Sequence, residues 1–394
     1  MRLSADWCTT RGTLAPHAVT VDHGLREDSA AEAEEVANWA KSAGVPHTIL
    51  KWESERKLSN LQSQARDARY GLIGDWMKAL GLSQLLTGHT QDDQAETLLI
   101  RLTRGSGLEG LSGMSTRARF PTSQHRDLTL LRPLLSFPHK RLVATLQACG
   151  QTWFEDPGNS NPKFQRTKMR ALAPVLSDVG IPPEKLSGAM AHLRRANDYI
   201  RAQSAEFVRH AVTFEAWGYA LLSTVAFREV HAEIGLRTLA RLLQVVGGSA
   251  YPPEFDSVRD LLEWLVKDAN PRGRTLGGCR LARREPGTVL LAREEELLLA
   301  EAPMVGLVSR QSTVWDRRFE ISLTEKSFEG SLEVRALGLE GLQQIPKGLA
   351  SPTVEPGRVG RSLPGIWQGQ QLVCAPLQKF HRGVKADARF LGAF

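Results

Sequence analysis

Three acids, two adjacent and the third about one helical turn on, stand in the segment TGHTQDDQAETLLIRLTRGSGLEGLSG, which runs from Thr87 to Gly113. A short apolar run, Leu85 and Leu86, reaches a Gly88-His89 corner, and a helix follows whose first turns carry Asp92, Asp93 and Glu96. The spacing of Asp93 and Glu96 sets both carboxylates on one face near the positive end of the helix, with Ala95, Leu98, Leu99 and Leu102 expected as the buried stripe. Acids at a strand-to-helix corner suit a magnesium–nucleotide site, because a hard cation takes oxygen ligands and Mg²⁺ needs one or two carboxylates plus substrate phosphates. Asp92, Asp93 and Glu96 are therefore the candidate metal ligands. The competing reading is helix capping, with Thr90 as N-cap and Asp93 as its capping-box partner.

The elements around this segment alternate. His17–Asp22 reads as a strand ending at a second corner, His23-Gly24, and Ser29 opens a helix to about Ala43. His47–Trp52 is the next expected strand. Asn60 opens a long helix with the stripe Leu61, Ala65, Ala68, Leu72, Trp76 and Leu80; Ser83–Thr87 and Leu128–Leu135 complete the strands. Strands separated by helices of this length make a doubly wound parallel sheet, an α/β fold whose ligands bind beyond the carboxyl ends of the strands. Asp22, His23, Gly88 and His89 lie there and are the candidate nucleotide-binding residues. Gly105–Gly110 spells GxGxxG but follows a helix, the wrong context for a dinucleotide loop. Arg101 and Arg104 beside it either reach phosphates or complement the helix's negative end.

A second constellation is EDPGNSNPKFQRTKMR, Glu155–Arg170, in which Lys163, Arg166, Lys168 and Arg170 give four cations in eight positions. No acid interrupts them and Asn159 and Phe164 sit among them, a pattern suited to RNA phosphate contact. The further cluster Arg194, Arg195, Arg201 and Arg209 reads as ordinary surface. From Pro162 to about Gln244 the pattern is helical; Arg272–Arg293 suggests a two-stranded ribbon turning at Glu285-Pro286-Gly287, and from about Ala302 short strands and turns indicate a β-rich region with a loose segment from Pro346 to Gly360. The expected domains are residues 1–160, nucleotide-binding; 161–300, mainly helical; and 301–394, β-rich.

A chain of 394 residues with 42% hydrophobic and 24% charged residues is ordinary for a globular protein. It has no apolar run of membrane-spanning length and no signal-peptide core. Cys8, Cys149, Cys279 and Cys374 lie far apart without a CxxC pair, which argues against a disulfide framework, a zinc site or an iron–sulfur centre and suits the cytoplasm. The net charge of +7 is compatible with a polyanionic partner. A homodimer is left open.

AVTVDHGLR, NLQSQARDARY, LLTGHTQDDQAETLLIRLTRGSG, LRPLL and EDPGNSNPKFQRTKMR, in this order, resemble the tRNA-isoleucine lysidine synthetase family of the PP-loop ATP pyrophosphatases. The similarity is dense from about Leu14 to Arg170 and continues thinly through RTLGGCRLARR and RSLPGIWQGQQLVCAP. The resemblance implies ligation of L-lysine to C2 of the wobble cytidine of an isoleucine tRNA, with ATP and Mg²⁺. The cytosine carbonyl oxygen is adenylated with loss of pyrophosphate; the lysine side-chain amine then attacks and AMP leaves. It implies that Asp93 and Glu96 organise metal and amine, that Arg104 stabilises charge at the α-phosphate, and that Asn159, Lys163, Arg166, Lys168 and Arg170 contact tRNA. Asn161 and Lys168 depart from the family's usual acid and arginine.

The family's phosphate loop, SGGxDS, lies between its first strand and first helix. Here Met1–Arg11 already reads as that helix, with Leu3, Ala5, Trp7 and Cys8 as its apolar positions. The expectation is a start too far downstream in the gene, with sheet edges left unpaired; the alternatives are a catalytically inactive tRNA-binding remnant and another PP-loop tRNA-modifying enzyme. A thiolation enzyme would want paired cysteines, and a GMP-synthetase-like amidase would lack the basic helical region.

Overall fold

A computed structural model describes residues 1–13, 16–24, 28–52, 61–155, 165–267, 272–299, 303–305, 307, 312–324, 331–346, 349 and 356–392. They form two compact units, Met1–Asn197 and Asp198–Phe394. Asn159 and Lys163, and most of the loose segment expected at 346–360, lie outside the described residues.

The first unit runs α1 (Arg2–Arg11), β1 (Ala18–Asp22), α2 (Ser29–Ser42), β2 (His47–Lys51), α3 (Leu61–Ala79), β3 (Gln84–Leu86), α4 (Gln91–Thr103), α5 (Leu108–Leu111), β4 (Arg117–Arg119), β5 (Thr129–Leu131), α6 (His139–Ala148), α7 (Gln165–Asp178) and the part of α8 (Pro183–Ala211) up to Asn197. The alternation of strand and helix is the expected one. β1 pairs in parallel with β2 from Ala18↔His47 to Asp22↔Lys51, and β3 in parallel with β5 from Gln84↔Thr129 to Leu86↔Leu131. β4, which the sequence reading did not anticipate, adds antiparallel to β5; Arg-Ala-Arg is too short and too charged to signal a strand. Among the described residues β1 hydrogen-bonds only to β2 and β3 only to β5, so the sheet comes in two parts with the other edges of β1 and β3 unpaired.

One apolar cluster joins those parts. Tyr70, Ile73 and Met77 of α3 pack with Phe120, Leu128 and Leu130, and Val19, Val21, Leu50 and Leu85 close on them. The buried face of α3 is thus turned from the expected stripe: Trp76 is only half-buried and Leu80 is exposed, because Tyr70, Ile73 and Met77 form a second apolar row at the same helical spacing. α1 forms as expected, but only Ala5 of its apolar positions is buried, against Ala40 and Val45.

The second unit interrupts the almost wholly helical stretch expected up to about Gln244. β6 (Val212–Glu215) and β7 (Tyr219–Ser223) form a hairpin before α9 (Thr224–Glu229), α10 (Ala232–Val246) and α11 (Phe255–Val266). The anticipated two-stranded ribbon is β9 (Cys279–Arg283) and β10 (Thr288–Arg293); β8 (Arg274–Leu276) adds a third strand to it, and the hairpin joins them in one sheet ordered β6-β7-β10-β9-β8. Leu239, Leu242, Leu243 and Val246 of α10 and Leu261 and Leu265 of α11 bury one face of that sheet. The remainder is β-rich as expected, with a five-stranded and a three-stranded sheet sharing a core around Trp367, Phe319 and Ile366. Asp316 holds buried Arg293 and Arg318 there, with Arg318 donating to Ser362 O at 2.9 Å. No helix among the described residues is long and apolar enough to cross a membrane.

Candidate functional site

α4 starts where it does because of Thr90. Its extended backbone and side chain make a capping box: Thr90 N donates to Asp93 Oδ2 at 2.8 Å and Asp93 N to Thr90 Oγ1 at 3.5 Å. The capping reading therefore holds for one oxygen of Asp93. Asp92 caps a different helix, accepting the His139 backbone N–H that opens α6 at 2.6 Å. Glu96, a turn further, caps nothing. It is buried with Gln94, Ala95 and Leu98, whereas Leu102, expected in the buried stripe, is 51% exposed.

Glu96 meets α7. Arg170 Nε donates to Glu96 Oε1, Arg166 Nε lies 3.8 Å from Glu96 Oε2, and Arg170 Nη2 lies 3.9 Å from Asp93 Oδ1. Burial nevertheless pushes the Glu96 carboxyl above the usual carboxylate range, outweighing the Arg170 hydrogen bond. Arg170 moves upward too: burial pulls it down, and the Glu96 carboxylate more than restores it. The pair favours charge on the arginine while desolvation disfavours it on the acid. The burial effect at Glu96 is the firmer of the two, since its side chain is 7% exposed and Oε2 has no hydrogen-bond partner.

These groups open on a cleft of about 620 Å³, within the size range of small-molecule sites. Asp92, Asp93 and Glu96 form its acidic floor; Trp153, Phe154, Pro174, Ile181 and Leu186 form an apolar wall. Among the described residues no three His, Cys, Asp or Glu side chains are gathered as a metal cage. Glu96 Oε2 and Asp93 Oδ1 are the oxygens with capacity to spare, and two carboxylates suit a magnesium ion that takes its remaining ligands from phosphates and water.

The two corners sit at the carboxyl ends of β1 and β3. Asp22 accepts from Ser29 Oγ at 2.7 Å and Gly24 N at 2.8 Å, which lowers its carboxyl, the serine bond most. His23 Nε2 accepts from Arg69 Nε at 3.2 Å, and burial, then Arg69, hold its imidazole below the ordinary histidine value. His89 pairs with Thr87 Oγ1 at 2.9 Å and is lowered mainly by burial. Gly88 is exposed, with open space where a Cβ would stand. α3 serves both corners, Arg69 at His23 and Arg66 within electrostatic reach of His89.

Arg104 lies about 12 Å along the helix axis from Glu96, and its Nη2 donates to Gln165 Oε1 at 3.1 Å, so it is not gathered with the acids. Lys168 is exposed on α7. Two residues escaped the sequence reading. Gln94 clamps Met114 through both its backbone groups, each at 2.8 Å, and Arg194, read as surface, donates to Ser112 O at 2.6 Å and also to Met114 O. Gly113 between them has φ +72°, and a Cβ there would strike Met190 at 2.0 Å and Gln94 Oε1 at 2.8 Å. The glycine inside GLSGM, next to a buried glutamine in DDQAET, was the available signal.

A parallel sheet with ligand corners at its carboxyl ends and an acid-bearing helix beside them fits the domain class that residues 1–176 match, the PP-loop domain. Over nearly its whole length the chain is also similar to tRNA(Ile)-lysidine synthases. That of Ruegeria pomeroyi is 34% identical over 380 residues, covering 96% of this chain and 86% of the relative. That of the Wolbachia of Brugia malayi is 31% identical, covering 98% and 88%, and that of a Bradyrhizobium strain 36% identical, covering 77% and 86%. The chain belongs to the tRNA(Ile)-lysidine synthase family.

Proposed function

We propose that this protein ligates L-lysine to C2 of the wobble cytidine of an isoleucine tRNA, consuming ATP and releasing AMP and pyrophosphate in the cytoplasm. The observation that carries the reading is Glu96: a buried carboxylate with one oxygen lacking a hydrogen bond, on the floor of a cleft large enough for a substrate. A primary amine with an aliphatic stem fits such a cleft, its charged end on Glu96 and Asp93 and its methylenes against Ile181, Leu186 and Pro174. Asp22, His23, Gly88 and His89 cradle the nucleotide; the His23 and His89 imidazoles, held below the ordinary histidine value, and the open space at Gly88 leave room for phosphate oxygens. Mg²⁺, when bound, would neutralise phosphate charge; Asp92 and Asp93, in the first turn of α4 beside the Gly88-His89 corner, would hold it, which leaves Glu96 to the amine. Arg104 is assigned to the α-phosphate on the family's pattern, and must leave Gln165 to serve there. Asn159, Lys163, Arg166, Lys168 and Arg170 contact tRNA phosphates.

Residues 1–160 carry the nucleotide chemistry, 161–300 the tRNA-facing helices and 301–394 a β-rich region. The test is mass analysis of nucleosides from isoleucine tRNA incubated with lysine, ATP and the product of the whole reading frame. Lysine-dependent mass gain on cytidine is expected; none under any magnesium concentration would sink the assignment.

A further inference from the structure

We propose that Arg170 is a stand-in cation, which occupies Glu96 and Asp93 in the absence of RNA and gives way to the substrate's primary ammonium when α7 engages a polyanion. The inference rests on reading the cleft as the amine subsite.

The geometry is one of competition. The carboxylate groups that would receive an ammonium are already facing guanidinium groups, Arg170 at Glu96 Oε1 and near Asp93 Oδ1, and Arg166 near Glu96 Oε2. Glu96 is nearly sealed from water, so a second cation brought to it meets repulsion from the first that water screens only in part. The arginine itself is not sealed. Its side chain is 41% exposed, so phosphate can approach it from outside while the acid stays covered. Arginine binds phosphate in the same bidentate manner as carboxylate, which makes the exchange chemically even.

α7 is built to yield at this residue. Pro174 lies inside the helix, one turn after Arg170. It has no N–H to donate to the Arg170 carbonyl, and its ring crowds that carbonyl, so the helix is weakest where the arginine is anchored. The first turn of α7 meets α4 through exposed side-chain hydrogen bonds, Gln165 Nε2 to Thr103 Oγ1 at 3.0 Å and Arg104 Nη2 to Gln165 Oε1 at 3.1 Å, and through the long Arg166–Glu96 contact at 3.8 Å. Met169, Arg170, Ala173, Pro174 and Ser177 all line the cleft, so a shift of α7 that withdraws Arg170 also widens the space an alkyl ammonium enters. The device admits the amine only once the RNA is seated.

The experiment is calorimetric titration of L-lysine into the product of the whole reading frame, with and without an isoleucine tRNA transcript. If the free carboxylate state is populated at about a tenth without RNA, tRNA tightens lysine binding about tenfold. Arg170→Ala and Arg170→Gln are expected to bind lysine without tRNA about as tightly as the wild type does with it, and to bind tRNA more weakly. The glutamine variant keeps a hydrogen-bond donor for Glu96 should the alanine variant unfold. Pro174→Ala, which restores the missing N–H, is expected to reduce the tRNA effect. If both Arg170 variants bind lysine no better than wild type without tRNA, the competition is refuted. If lysine binds none of the proteins in any condition while tRNA still binds, the amine-subsite reading itself falls, and this inference with it.

Discussion

At Glu96 two opposed effects meet in one carboxylate, and the balance can be read from the pH dependence of stability. Burial raises its folded-state proton affinity above that of the unfolded chain. A group so shifted contributes stability below its unfolded pKa, and that contribution is lost as pH rises through the folded pKa. At neutral pH ionised Glu96 is therefore a liability to folding, and Glu96→Gln is expected to leave the melting temperature unchanged or raise it, with the advantage shrinking as pH falls into the ordinary carboxylate range. Turnover of the same variant should vanish. Melting curves across pH check the first part, and a loss of several degrees at neutral pH would show that the Arg170 pair dominates. Cys279 gives a second residue-scale prediction. Full burial pushes its thiol up to about 12, so iodoacetamide should label exposed Cys149 in the native state and leave Cys279 untouched until the chain is unfolded. The sequence already held the acids and their spacing. It could not assign Asp92 to the start of α6, because that contact spans 47 positions and depends on how two helices meet.

At the scale of elements, local chemistry was legible wherever it was self-contained. Thr90 and Asp93 announced the start of α4, and the alternation of strand and helix up to β5 followed from turn residues and apolar periodicity. The β6–β7 hairpin was not legible in the same way. Its loop is Ala216-Trp217-Gly218, without the Asn-Gly or Asp-Gly signal, and β7 gains its second neighbour only when β10 arrives from 65 or more positions later. Gly218, at φ +74°, was the one cue. Leu102 was misplaced for a related reason: periodicity marks an apolar row but not where the neighbouring helix ends. The cap itself is testable. Thr90→Ala removes the acceptor for Asp93 N and is expected to cost about 1 kcal/mol in chemical denaturation, with Thr90→Ser recovering most of it. An alanine variant as stable as wild type would mean that Asp93 holds the helix start alone.

Across the whole molecule the basic residues are not equivalent, though the sequence offered them as one cluster. Arg166 and Arg170 face acids, whereas Lys168, between them on α7, is exposed and has no ion pair among the described residues. An unpaired cation and a paired one contribute differently to binding a polyanion. Each phosphate neutralised releases condensed counterions whichever residue does it, but a paired arginine must first surrender its carboxylate. Lys168→Ala should therefore flatten the slope of log affinity against log salt for isoleucine tRNA by about one unit and weaken binding at every salt concentration. Arg166→Ala should weaken it less, since part of its charge is already answered by Glu96 at 3.8 Å. Filter-binding titrations from low to physiological salt distinguish the two. Equal effects from both variants would mean that the ion pairs of α7 are already broken when RNA binds, and no effect from either would leave α7 an ordinary solvated face and move docking to the second unit.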